Sequence, residues 1–164
     1  MADPAKFWEI GEEEDNPPLT DAMLVHAEAV LAVRLPRDYV NLLRRRNGGP
    51  TLYDADYSIA LPRAPRSEPD VRSLSFPEMS GIGPVAREPH ERRHDILETP
   101  DMIAEWGLPQ GLVLLAGDGH AWFALDYRKR TEPAVIWIAA DGPDEIRLAD
   151  NFAAFVRKLR PTKR

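Results

Sequence analysis

The stretch 112-LVLLAGDGHAWFALD-126 constrains the fold more than any other part of the chain. Leu112 to Ala116 is an unbroken apolar run, Gly117-Asp118-Gly119 is a turn, and Ala121 to Asp126 is a second strand. The polar loop YRKRTEP then leads to VIWIA at 135–139. Asp141-Gly142-Pro143 marks another turn, and Glu145 to Leu148 makes a short final strand. Turns this short join antiparallel neighbours, because parallel strands need a long crossover. In AWFALD, Trp122 and Ala124 lie on one face and Ala121, Phe123 and Leu125 on the other. Both faces carry apolar residues, so the strand is central or covered on both sides, and Trp122 and Trp137 are core residues by default.

Helices flank this meander. Thr20 is an N-cap, Asp21 suits the positive end of the dipole, and Met23, Ala27, Val30 and Leu31 follow helical spacing. Leu35-Pro36 breaks this helix, and Pro36 or Arg37 opens a second with Tyr39, Leu42 and Leu43 on its buried face. Asn47-Gly48-Gly49 is expected to end it through a left-handed C-cap. Short strands are expected at Tyr57–Leu61 and Leu74–Phe76, loops at 62–73 and 84–95, and a helical turn or two at 102–106 with Thr99 as cap and Pro100 first. Asp150 or Asn151 caps a terminal helix that buries Phe152, Phe155, Val156 and Leu159. The class is α+β: two N-terminal helices, an antiparallel β-meander, and a C-terminal helix packed on the sheet. Residues 1–18 read as an N-terminal arm with Phe7, Trp8 and Ile10 to dock it, 19–160 as a single domain, and 161–164 as a basic tail.

The chain has no cysteine, which excludes disulfides, thiolate zinc sites and cysteine nucleophiles. No apolar run approaches 18 residues and the acidic N-terminus has no signal core, so a cytoplasmic protein without a membrane span is expected. The net charge of −6 disfavours nucleic acid, whose phosphates need a basic surface, and would favour a basic partner. No cofactor motif stands out. No serine lies in a G-x-S-x-G elbow, and no phosphate motif follows Gly81-Ile82-Gly83.

The most enzyme-like letters are 90-HERRH-94, which match H-E-x-x-H. On a helix that spacing sets two imidazoles on one face to hold Zn²⁺, with glutamate as general base. Context opposes this. Pro89 precedes the motif, charged residues flank it, and no third ligand is evident: Glu98 is very close in sequence and Glu105 lies beyond Pro100. A solvated charged loop or short helix is expected, with His90 and His94 adventitious metal binders at most.

The order of motifs resembles the SUKH superfamily. Ala27-Glu28, Leu35-Pro36, Arg37-Asp38-Tyr39, an apolar pair and Asn47-Gly48-Gly49 resemble its opening. Trp106-Gly107-Leu108-Pro109, then LVLLAGDGH, AWFALDYR, a basic loop, VIWIA and NFAAFVRKL are similar to its second half. The likeness covers roughly 20–160, except for a poorly matching middle at 62–98. Ala32 departs from the pattern, where the family often has glycine.

The resemblance implies a non-enzymatic binding domain. Bacterial members are immunity proteins that neutralise a cognate toxin, often a nuclease, and eukaryotic relatives regulate through protein contacts. The expected partner is therefore a basic toxin domain, with a general regulatory or scaffolding module as the alternative and a zinc hydrolase using His90 and His94 as a third reading. The chain itself is expected to be a monomer or weak homodimer. Charge and loop position nominate Glu12, Glu13, Glu14, Asp15, Asp118, His120 and Asp126 as contacts, with Tyr53 and Tyr57 as exposed aromatics. Leu35, Pro36, Tyr39, Asn47, Gly48, Gly49, Leu108, Pro109, Phe152 and Phe155 are architectural. The HERRH stretch, outside every family motif, is expected to be variable contact surface.

Overall fold

A computed structural model describes residues 4–9, 11, 16–52, 56–141 and 144–162. The chain forms helices α1 (Asp21–Leu31) and α2 (Arg37–Arg45), then short strands β1 (Gly49–Pro50), β2 (Tyr57–Ala60), β3 (Ser73–Phe76) and β4 (Glu78–Met79). Helix α3 (Thr99–Trp106) leads into β5 (Leu112–Gly117), β6 (Ala121–Asp126), β7 (Ala134–Ala139) and β8 (Asp144–Ala149). Helix α4 (Phe152–Lys158) and β9 (Arg160–Pro161) complete the chain. Strands β5-β6-β7-β8 form the expected antiparallel meander, beside a β3-β2-β9 sheet and a β1-β4 pair. The class is α+β, and no helix among the described residues is long and apolar enough to cross a membrane.

The meander is covered on both faces, as the double apolar pattern of β6 requires. Phe123 pairs with Trp137 and Trp122 with Ile138, so the two tryptophans point to opposite sides of the sheet. Val113, Leu115, Phe123, Leu125, Val135, Trp137, Ile146 and Leu148 enter the main core. There Phe152 and Phe155 of α4 meet Tyr39 and Phe76 edge-on at 5.4 and 5.1 Å. The other face packs Leu112, Leu114, Trp122, Ala124, Ile136 and Ile138 against Ile103 of α3 and Leu108. A bulge between Leu114 and Ala116 shifts the register so that Gly117 stands opposite Trp122.

Thr20 caps α1 as expected, its hydroxyl accepting the Met23 N–H at 3.2 Å. Ala32 ends the helix in the left-handed region (φ +54°), and the Val33 N–H closes back on the Glu28 carbonyl at 3.1 Å. That is the geometry for which glycine is preferred. Leu35 is buried, and its N–H donates to the Glu28 carboxylate at 2.7 Å. Thr99 does not cap α3. Its hydroxyl instead accepts the Leu114 N–H at 3.0 Å, fastening the helix to β5.

Asn47 corrects the expected C-cap. Helix α2 ends in an extended Arg46 (φ −152°), and positive φ falls on Gly48 and Gly49. The Asn47 side chain is buried, and its role is to join distant segments. It donates to the Pro17 and Ile82 carbonyls at 2.9 and 2.7 Å and accepts from the Ile82 N–H at 2.8 Å. Asn16, also buried, donates to the Asn47 and His94 carbonyls at 2.9 and 3.0 Å. This close packing explains the glycines of Gly81-Ile82-Gly83. A Cβ on Gly81 would lie 2.4 Å from Asn47 oxygens, and one on Gly83 would lie 2.1 Å from the Asp95 carboxylate.

The N-terminal segment joins the same core. Phe7 is fully buried against Tyr57, ring centroids 5.6 Å apart, and Trp8 donates its indole N–H to the Leu42 carbonyl at 2.9 Å. Burying a ring such as Phe7 stabilises the fold by about 2–3 kcal/mol.

Candidate functional site

The β5–β6 turn and the segment 78–99 bound a pocket of about 210 Å³ beside the outer face of the meander. Its walls come from five places in the chain. Glu78 and Ser80 lie on and after β4, His94, Asp95 and Glu98 close the polar middle, Thr99 and Met102 come from α3, Leu114, Ala116, Gly117 and Gly119 from β5 and the turn after it, and Trp122 from β6. Trp122 is 5% exposed, and its indole lies over Gly117, where an added Cβ would fall 2.1 Å from Cδ1. The missing side chain at 117 is what lets the indole lie there. Trp106 covers it from outside at 5.9 Å, and His120 meets the Trp106 ring at 6.0 Å.

His94 and Asp95 set the floor. Asp95 is buried, accepts the Leu97 N–H at 2.9 Å to start the single turn Ile96–Glu98, and pairs with Arg92. Gly81 donates to the His94 carbonyl at 2.7 Å and accepts from Ile96 at 2.9 Å, which pins this strip to the Asn47 hub. His94 is held at φ +47°, and its Nε2 meets Glu78 Oε2 at 2.7 Å. Glu98 is half-buried, and its side chain makes no hydrogen bond or ion pair among the described residues. Burial first, then the neighbouring Asp95 charge, pushes its carboxyl up to about 7, opposed by His94 and Arg92.

The helix that an H-E-x-x-H zinc site needs is not formed. Residues 89–91 make one 3₁₀ turn, and the left-handed His94 breaks any helical spacing from His90. His90 stands 79% exposed beside Glu91, while His94 faces Glu78. The stretch is in part the solvated charged loop or short helix expected: 89–91 is a single short turn and His90, Glu91 and Arg93 are exposed. The Arg92 side chain is largely covered, because the buried Asp95 carboxylate draws it inward. Among the described residues, no three His, Asp or Glu side chains gather into a group that could hold a metal ion.

The nominated contact residues scatter. Glu12, Glu13, Glu14, Asp15 and Tyr53 lie outside the described residues. Tyr57, expected as an exposed aromatic, is 2% exposed, because its ring stacks on Phe7 within the core. Asp118 and His120 are exposed at the pocket's turn. The Asp118 carboxylate accepts the His120 and Ala121 N–H groups at 2.9 and 3.0 Å, and the His120 bond leads in holding its pKa below the usual range. Asp126 sits at the far end of β6, about 20 Å from His120 at some 3.3 Å per strand residue. It is engaged within the chain: Arg128 binds it at 2.9 Å and clamps Glu145 at 2.7 Å. Burial raises the Asp126 pKa, but these bonds outweigh it and hold the carboxyl low.

Sequence reasoning missed Glu78, Ser80, Thr99 and Met102, and weighed Glu98 only as a metal ligand. The one local sign was a polar run ending in an aspartate that could cap a turn. Among the architectural residues, Leu108, Phe152 and Phe155 are buried, and the buried Tyr39 donates its hydroxyl to the Ser80 carbonyl at 2.7 Å. Tyr39 thereby holds the strand end from which Ser80 reaches the pocket.

No curated protein and no solved structure shows a significant match to this chain. The model of the SMI1 / KNR4 family (SUKH-1) matches residues 18–158, which take in both N-terminal helices, the pocket, the meander and the whole of α4. The chain belongs to the SMI1 / KNR4 family (SUKH-1).

Proposed function

We propose that this chain is a non-enzymatic, protein-binding immunity domain that neutralises a cognate toxin, of nuclease type, by covering its working surface. Family membership over residues 18–158 is the observation that carries the reading. The net charge of −6 supports it, because a nuclease presents a basic surface to its substrate and an acidic partner is drawn to that surface. The pocket adds acidic groups, Glu78 and Glu98, next to the exposed turn of Asp118 and His120. A complex of this kind would draw affinity from a few desolvated anchors and encounter rate from charge.

Co-purification from the native host, followed by growth assays, tests the reading. The expected partner carries a basic nuclease domain, arrests growth when expressed alone, and is relieved when this chain is co-expressed. Stable partners that are harmless alone overturn toxin neutralisation and favour a regulatory or scaffolding module.

A further inference from the structure

We propose that the exposed face of α1 is a contact between two copies of this chain, packed antiparallel about a twofold axis. Helix α1 is apolar on two sides. Met23 and Ala27 are buried in the core, with Leu24 and Leu31 half-buried beside them. An ordinary surface helix is polar on the side away from the core. Here that side carries Ala22, Val25, Ala29 and the C-cap Ala32, and all four are exposed. Their spacing of three, four and three residues is the seam of a two-helix coiled coil. Val25 is 67% exposed, and Val30, on the flank of the seam, is 49% exposed. They are two of the three large hydrophobic side chains left exposed among the described residues, so the uncovered apolar surface gathers on this helix.

Charge selects a second copy as the occupant. The C-terminal end of α1 opens on a cleft lined by Glu28, Ala32, Arg34, Tyr127, Lys129 and Arg130. Arg34 and Lys129 make no ion pair among the described residues, and Arg130 donates to the Asp150 carbonyl. Glu28 is the acid among the lining residues, and its Oε2 is taken by the Leu35 N–H. The cleft is therefore cationic, on a chain whose net charge is −6. The other end of α1 carries Asp21, whose side chain is 88% exposed and gives Oδ1 to Arg44. Asp21 and Glu28 are one heptad apart, so Asp21 stands on the same edge of the seam as the cleft.

A twofold contact uses one patch on both copies, so that patch must complement itself. Antiparallel packing meets this condition. It sets Val25 against the partner's Ala29 and Ala22 against the partner's Ala32, and like edges meet, which brings each Asp21 over the partner's cationic cleft. The alanines let the two backbones approach closely. A parallel pair would set cleft beside cleft, cations against cations. Helix α1 has 11 residues and is about 16 Å long. Two such faces cover less than the roughly 800 Å² per partner of a standard stable interface, so the pair is weak and forms at high concentration.

Sedimentation equilibrium of the full chain tests the contact from about 10 µM to about 1 mM, the range in which so small an interface dissociates. The weight-average mass should climb from that of one chain toward that of two. Val25→Glu places two like charges in the seam and should hold the chain at single mass throughout, with unchanged circular dichroism because the side chain lies outside the core. Cross-linking reads the direction of packing, since the natural chain has no cysteine. An oxidised mixture of Ala22→Cys and Ala32→Cys chains should give mainly the mixed disulfide dimer, and either variant alone should give little. Single mass at every concentration leaves the face to a different protein and overturns the proposal, as does association that survives Val25→Glu. Ala22→Cys chains that cross-link alone as readily as the mixture overturn the antiparallel arrangement. If Val25→Glu disturbs the fold, the cysteine pattern at the two exposed alanines still decides. None of these results touches the toxin reading, which the growth assay decides.

Discussion

Glu98→Gln should make the protein more stable at alkaline pH and leave it nearly unchanged at pH 4.5. The carboxyl titrates near 4.5 when free and is pushed up to about 7 in the fold, chiefly by burial. A raised folded value means that the stability linked to the neutral form is fully present below the unfolded value. It is lost progressively as pH rises from about 4.5 through about 7. Glutamine fixes the neutral state at every pH, so the two proteins should diverge over that window and run parallel above it. A shift of about 2.5 units would be worth about 3.4 kcal/mol if fully expressed, at about 1.36 kcal/mol per unit. Glu98 is only half-buried, and solvent screening reduces this to about 1–2 kcal/mol. Urea denaturation followed by tryptophan fluorescence at pH 4.5, 6 and 8 measures it. With an m-value of about 2 kcal/mol/M, the midpoint at pH 8 should rise by about 0.5–1 M. Equal midpoints at all three values, or a variant that is weaker at pH 8, would refute the reasoning. Either result would mean that the ionised carboxylate already has a favourable partner in the folded chain.

Three further substitutions test the scaffold. Ala32→Gly should raise stability by about 0.5–1 kcal/mol in thermal or urea unfolding, since relief of left-handed strain exceeds the added unfolded-state freedom. Asn47→Ala strips partners from the Ile82 N–H and the Pro17 and Ile82 carbonyls, and should cost about 3–5 kcal/mol, read as a large drop in the denaturation midpoint. Tyr39→Phe keeps the ring in the core but removes the bond to the Ser80 carbonyl, and should cost about 1 kcal/mol by the same measurement.

The fold was legible where information is local. The meander could be read because strand, turn and strand lie in sequence, and because apolar residues on both faces of β6 demand cover on both sides. Thr20 and the Phe152/Phe155 stripe were equally plain, each acting within a turn or two of its own position, whereas the helix expected to break at Leu35-Pro36 already ends at Leu31 with a left-handed Ala32. The site was not legible, because it is assembled across the chain. Glu78, His94, Glu98, Met102 and Trp122 stand on different elements, and no spacing rule links them. Asn47 shows the same limit within one residue. Beside two glycines it reads as a helix stop, a property of its own backbone. Its actual bonds reach Pro17 and Ile82, thirty and thirty-five residues away.

HERRH failed as a motif for a reason the sequence half contained. Pro89 and the flanking charges argued against an amphipathic helix, and no such helix forms there. What the letters could not carry is the pull of the residue that follows them. Asp95 is buried to cap Ile96–Glu98 and to pack against Gly83, and it takes Arg92 inward with it. Holding that corner forces His94 into the left-handed region, with its carbonyl on Gly81 and its imidazole on Glu78. The two histidines that look like one ligand pair are thus divided by a structural corner: His90 remains on the surface, and His94 becomes a wall of the acidic pocket. Exchanging His90 should therefore leave the pocket intact, whereas exchanging His94 removes the partner of Glu78 and alters the pocket itself.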